Sequence, residues 1–536
     1  MLLLMVTKNQ LKLVTPLTLK ILMASVLMLS LFLPKDSLWA AGEIGDLAIR
    51  PAPHAPPLPP KGGVFKDPTY GTPIIRVTDR TDGNNANHSY SIWGPFNCNS
   101  TRFHIGIDGI WTLYDFDPVN FRSTKVGAIT TQGIGLNLET ARWHPTNPDI
   151  LYAMESSPIR RKVYTVNVAT MTATLLYDFT SVAPIGGYTN SFSMNENGHV
   201  LTFYSSTTGS ADTGDHVTAY NLQTNTVYEL DFASRTGHSD IHSTILDKSG
   251  DYVAIHGGTL AADQPIYWIW KLADNSLTPL LWNAADSPGG HWTFGSELTL
   301  NPAWVGGALV QRNLATPHTN EVAVSFPSRD GKSNFQLDSH RSWVNLDPRF
   351  FFMSNQIQSK VTGWTLHSGA IYKRTNFVAT SLTARAPEGV YVNGVSLVKS
   401  LSMPTSAGHW YYDAAGDILF VWLFNNAAAT NPANAIVPFA WWPFMEEIMQ
   451  IWVDEPTNLT KIRRLAHHQS HWPNTSASGY GDLPKAAADR SGRYVLFDSN
   501  WGGSGHRDVF ILQVPGSTST STTDAPPMAP INLTVK

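Results

Sequence analysis

This sequence predicts an all-β fold: a β-propeller of about seven blades with a small β insertion in the sixth. Three observations lead there. Short apolar and β-branched runs alternate with Gly, Asn, Asp and Ser turns, and long amphipathic helical patterns are scarce. One unit of strand, turn, apolar strand, loop, strand, turn and strand recurs at roughly the 40–50 residue spacing of propeller blades. Charged residues make up 15% of the chain and aromatics 11%, with 18 Trp. An ordinary soluble domain carries about 25% charge, so this composition suits a compact β protein meeting neutral or weakly acidic ligands. A β-sandwich array or a solenoid is the competing arrangement.

The units follow in order. Asn99-Ser100 leads into RFHIGID, IWTLYDF and RSTKVG. Pro148-Asp149 leads into ILYAMES, KVYTVNV and ATLLYDF. Asn197-Gly198 leads into VLTFYSS, HVTAYNL and TVYELDF. Ser249-Gly250 leads into YVAIHGG, IYWIWKL and LTPLLW. A fifth, less regular unit runs from Glu297 to about Arg329. A sixth starts at Ser342 and resumes at Met449 (MQIWVDE). The last has Ser491-Gly492 before YVLFDSN and RDVFILQV. Residues 74–78 (IIRVT) supply its missing outer strand and close the ring, so the propeller spans 74–515. The insertion, about 370–437, carries VYVNGVSLVK and AGHWYYDAAGDILFVWLF. Its Trp410, Tyr411 and Tyr412 read either as a lid or glycan-binding flap or as core aromatics.

The flanks read differently. In residues 1–41, Lys8, Lys12 and Lys20 precede an apolar run at 21–33, and Ala40 and Ala41 offer a cleavage point. The run is short of the roughly 20 residues of a membrane span. A signal peptide and a secreted or periplasmic product are expected, with no stable membrane insertion after its removal; an uncleaved anchor is the alternative. Residues 42–73 form a Pro-rich segment, extended over 52–61 (APHAPPLPPK). Residues 516–536 are a Ser/Thr/Pro linker and a truncated or vestigial tail, whose PPMAPINLTVK resembles the first strand of a fibronectin type III module. Cys98 is the single cysteine, which excludes an internal disulfide; it is expected buried at a hairpin. The net charge of -4 and the lack of basic runs argue against nucleic acid as a partner.

In a propeller, the loop entering each innermost strand opens on the same face as the loop between second and third strands. Here those positions are rich in histidine: His88 and Tyr90; Glu139 and Arg142; Tyr188 and Asn190; His238, Asp240 and His242; His291 and Trp292; His340 and Arg341; His467, His468, Gln469 and His471. Arg312 and His506 fall on the inter-strand loops. One reading is a divalent-metal site (Mn, Ca or Zn) with His238, His291, His467 and His471 as ligands. The other is acid–base chemistry by His88, Tyr90, Tyr188, His242, Arg312 and Arg341, with Arg142, Trp292 and His340 binding substrate. β-Elimination from a uronate needs a base, an acid, and a cation that counters the carboxylate beside the labile proton. Against both stands a structural role, since Gly237-His238 and Gly290-His291 fit the Gly-His pair of WD repeats. Paired glycosidase carboxylates among Glu139, Asp240 and Glu297 remain open. No nucleophile elbow, P-loop or dinucleotide fingerprint is present.

Residues 491–510 (SGRYVLFDSNWGGSGHRDVF) resemble TolB-type propeller repeats. Residues 141–152 (ARWHPTNPDILY) and the His/Gln-rich 467–471 are similar in style to oligogalacturonate lyases, propellers that cleave uronate oligomers with a His/Gln-bound metal. Ulvan lyases are a comparable analogy. HHQSH departs from that pattern by placing Gln469 between histidines. The resemblance implies an exported polysaccharide lyase acting on an acidic polysaccharide or oligosaccharide. The alternative is a non-catalytic propeller that binds a glycan or protein at the same face.

Overall fold

The computed structural model describes residues 55–156, 161–181, 188–207, 214–257, 267–280, 293–294, 298–303, 308–315, 320–325, 340–347, 350–354, 363–377, 386–392, 395–431, 436–439, 446–452, 462–470, 483–502, 504 and 506–516. The expected signal peptide, 1–41, and residues 517–536 of the expected tail lie outside them. Among the described residues, no helix is long and apolar enough to cross a membrane.

Among the described residues, seven antiparallel sheets follow one another along the chain; five are meanders of consecutive strands, the sixth is interrupted by the insertion and the last takes in strands from the start of the ring. The first strands lie side by side. Leu136–Trp143 packs on Tyr188–Met194, which packs on Ile241–Leu246; His340–Ser342 packs on Ala487–Ala488. The first strands are therefore innermost, and the chain folds as a β-propeller. A single sheet cannot cover both its faces, and the hydrophobic clusters accordingly bridge neighbours. Phe103, Ile105 and Phe116 of the first sheet interleave with Leu496, Val509 and Ile511 of the last, and Val217 and Leu230 of the third with Val253 and Trp270 of the fourth.

The ring closes through Pro73–Arg76, which pairs with Asp508–Gln513 in the register Ile74↔Leu512 and Ile75↔Ile511. After a turn at Gly62 and Gly63, Val64–Lys66 adds a fifth strand outside the closing one.

One turn follows most innermost strands and accounts for the repeated Asn, Asp and Gly. A buried Asn or Asp accepts backbone N–H groups from the start of the second strand: Asn97 from Thr101 and Arg102, Asn195 from His199 and Val200, Asp247 from Gly250 and Tyr252, Asp489 from Arg493 and Tyr494. Gly198, Gly250 and Gly492 take the left-handed conformation the turn requires. In the first blade Ser100 does so, and Cys98 beside it is half-buried rather than buried.

The insertion interrupts the sixth sheet between its second and third strands, Phe350–Ser354 and Glu447–Trp452. It forms two small sheets over Trp364, Val390, Trp410, Leu419, Val421 and Ile436, a core of its own. Trp410 is 1% exposed, Tyr411 stacks on Phe420, and the Tyr412 hydroxyl donates to Asp417.

Candidate active site

The first blade departs from the repeat. Asn87 pairs with Gly106, and Phe96 bridges to Phe103. Residues 88–95 therefore span what residues 104–105 span on the partner strand, and the surplus chain leaves the sheet. Its contacts show where it goes. His88 meets Asp498 of the last blade. Trp93 lies under the Arg142 guanidinium of the second blade, 4.5 Å from its centroid. A Cβ on Gly94 would come within 2.7 Å of Val344 in the sixth blade. Segment 88–95 thus leaves its own sheet and reaches the second, sixth and last blades, between the mouth, where the innermost strands begin, and the far end.

On the mouth side lie His88, Tyr90, Lys485 and Asp498. Lys485 sits just before the innermost strand Ala487–Ala488, and Asp498 lies near the end of Tyr494–Ser499. The His88 backbone N–H donates to Asp498 Oδ1 at 3.1 Å, and His88 Nδ1 stands 3.6 Å from Oδ2. Both side chains are fully buried. Burial pushes the Asp498 carboxyl up to about 7, against the opposing pull of Lys485, the His88 N–H and Arg507. Burial, with Lys485 and His104 adding to it, drives His88 down to about 3. At neutral pH His88 is a neutral imidazole, and Asp498 a carboxyl able to exchange its proton. The Lys485 ammonium stands 5.9 Å from the Tyr90 ring centroid. Ser470 Oγ donates to the Asp498 carbonyl, which brings the His/Gln loop 467–470 to the same edge.

The other candidates divide. Tyr188, His242 and His340 sit at the entering ends of their innermost strands, and Arg312 near the end of a second strand, all on the mouth face. Arg341, fully buried, acts electrostatically on Tyr267 of the fourth blade. His291, Trp292 and His471 lie outside the described residues. Arg142 sits away from the mouth: its guanidinium donates to the carbonyls of Thr140, Ala141 and Phe192 and lines a cavity at the far end of the channel. His238 packs against Trp268 at 5.2 Å between centroids.

Two of the proposed metal ligands can be tested for fit. His467 stacks on Tyr70, with Nδ1 3.5 Å from Asp67 and Nε2 3.8 Å from Glu447. Glu447 is itself held by the buried Arg464 guanidinium through two hydrogen bonds. This network ties the segment before the closing strand to the sixth blade. With His238 packed on Trp268 and His467 held between Asp67 and Glu447, these two side chains do not fit a metal site; among the described residues no group of three metal-ligating side chains occurs.

Lys485 and Asp498 were not singled out from sequence. Lys485 carried a usable signal, its place directly before an innermost strand. Asp498 carried less, because it belongs to the repeated strand FDSN.

No family model and no curated protein matches the chain. Among solved structures it is similar to an oligogalacturonate lyase from Vibrio parahaemolyticus, at 11% identity over 85% of this chain and 97% of that one, with a TM-score of 0.46. An oligogalacturonate lyase in complex with manganese aligns at 14% identity over 85% and 96%, TM-score 0.43. TolB from Acinetobacter baumannii aligns at 11% over 47% and 60%, TM-score 0.28. These are likenesses of architecture, and no residue's role is carried over from them.

Proposed function

We propose that the chain is an exported polysaccharide lyase that cleaves a uronate-containing polysaccharide by β-elimination at the channel mouth. The observation that carries this reading is the pairing of Lys485 with Tyr90 beside the mouth, backed by the buried Asp498 and His88. Elimination needs a cation on the uronate carboxylate, which Lys485 supplies in a site of low dielectric. It needs a proton for the leaving glycosidic oxygen, which Tyr90 supplies. The base that removes the proton beside the carboxylate comes from a neighbouring innermost strand, at Tyr188 or His242. Asp498 and His88 position this edge and keep it free of fixed negative charge below about pH 7.

The test is ultraviolet detection of unsaturated uronate after incubation of the purified protein with a panel of acidic polysaccharides. Parallel reactions contain a chelator, or added Mn, Ca or Zn. Product is expected from at least one substrate. Lys485→Met should lower the rate about a hundredfold, the scale of one lost transition-state contact. Absence of product from every polysaccharide under every metal condition overturns the lyase reading in favour of a glycan- or protein-binding propeller.

A further inference from the structure

At the far end of the channel, beyond segment 88–95, lies a cavity of about 130 Å³. Its walls are the ends of innermost strands, the loops that follow them, and Ile92 and Gly94 of the segment itself. It is close in size to the roughly 150 Å³ cavity that holds a benzene ring. Three cations line it: Arg142, Lys248 and Arg490. Glu196 is the one acidic side chain among its described lining residues.

The partners of these cations are unusual. Arg142 donates to three backbone carbonyls. Lys248 reaches from the fourth blade to the Asn345 carbonyl of the sixth. Arg490 reaches from the last blade to the Glu196 carbonyl of the third, at 3.2 Å. Among the described residues, no carboxylate comes within ion-pair distance of any of the three. All three residues are partly buried; Glu196 acts on Lys248 and Arg490 only from beyond ion-pair distance, and a partly enclosed cation without a paired charge is costly. Trp343 also lines the cavity, and its buried indole N–H finds no acceptor among the described residues.

We propose that this cavity is a binding site for a small oxyanion, which adds counter-charge to Arg142, Lys248 and Arg490, three cations lined up against the single carboxylate of Glu196. The ligand class is defined by phosphate, sulfate or carboxylate oxygens on a group no larger than one sugar ring. Burial pulls Lys248 down to about 8, with the charge of Arg490 adding to it and Glu196 and Asp347 opposing. The site lies at the other end of the channel from the lyase site, and its test is independent of catalysis.

The experiment is thermal unfolding of the full chain at matched ionic strength in chloride, inorganic phosphate, sulfate or galacturonate, with calorimetric titration of inorganic phosphate. A ligand that binds only the folded state raises the midpoint with concentration. A saturable rise of several degrees is expected with phosphate or sulfate, and one with galacturonate alone would identify an acidic sugar as the source. In Lys248→Met and Arg490→Gln the rise should fall at least severalfold. In chloride Lys248→Met should lose little stability, because the buried charge it removes makes no ion pair. A midpoint that responds to none of the anions beyond chloride overturns the proposal. So does retention of the full shift in every variant that folds.

Discussion

Arg76 and Asp508 form a two-pronged ion pair between the closing strand and the last strand of the ring, 2.8 Å from Nη2 and 3.2 Å from Nε to the same carboxylate oxygen. The other oxygen accepts from Thr78 Oγ1 at 3.1 Å and lies 2.9 Å from His506 Nε2. Removing a carboxylate that holds so many donors leaves them unmet in a buried place. Asp508→Ala should cost about 3 kcal/mol or more, within the range for breaking a buried pair. Urea unfolding measures this, and a loss below about 1 kcal/mol would show that backbone pairing alone secures the closure.

Asp489 offers a sharper test of the repeated turn. Its carboxylate accepts the Arg493 and Tyr494 N–H groups and also the Ser100 hydroxyl of the first blade, at 2.6 Å. Asp489→Ala should destabilise by about 2–4 kcal/mol, several lost hydrogen bonds to a charged acceptor. Asp489→Asn retains one acceptor oxygen and should cost less than half as much. Equal losses in the two variants would mean that the charge and the second carboxylate oxygen, not the filled space or a single acceptor, set the role of this residue.

The proton on Asp498 gives a pH signature. Unfolded, the carboxyl loses its proton near 4; folded, near 7. Between those values the folded state holds the extra proton, so the Asp498 contribution to stability falls as pH rises, by a few kcal/mol at most. His88 acts in the opposite sense below about 6.5, because folded it stays neutral down to about 3. Comparison with Asp498→Asn isolates the carboxyl. The variant should match wild type at pH 4 and exceed it at pH 8, as read by denaturant midpoints. A stability difference that does not change with pH would place the Asp498 carboxyl in an ordinary range.

The insertion should be dispensable for folding. Its aromatics pack into their own core, so replacing residues 363–439 by a short Gly/Ser linker should leave a soluble ring with a cooperative thermal transition. Loss of that transition would show that the sixth blade depends on the inserted sheets.

The propeller was legible because its punctuation is chemical. Asp247, Asp489 and Asn195 each cap the same turn, and Gly250, Gly492 and Gly198 each supply its left-handed residue, so local sequence carried the period. The mouth was only partly legible. His467 has the residue type of a ligand, but Asp67 and Glu447 claim its ring, and Asp67 is distant in sequence. Arg142 sits on an innermost strand, yet its guanidinium turns to carbonyls on the far side of segment 88–95. That segment reads as one more strand entrance, and nothing in HSYSIWGPF reveals that its partner strand leaves it surplus length.

The reach of residues 88–95 into three other blades bears on molecular traffic. With this segment lying in the path of the channel, a chain that reaches Lys485 and Tyr90 is expected to approach and depart on the same side. Cleavage there would favour single cuts with release of both fragments over progressive feeding, and a solute lodged beside Arg142 would have arrived by a separate door.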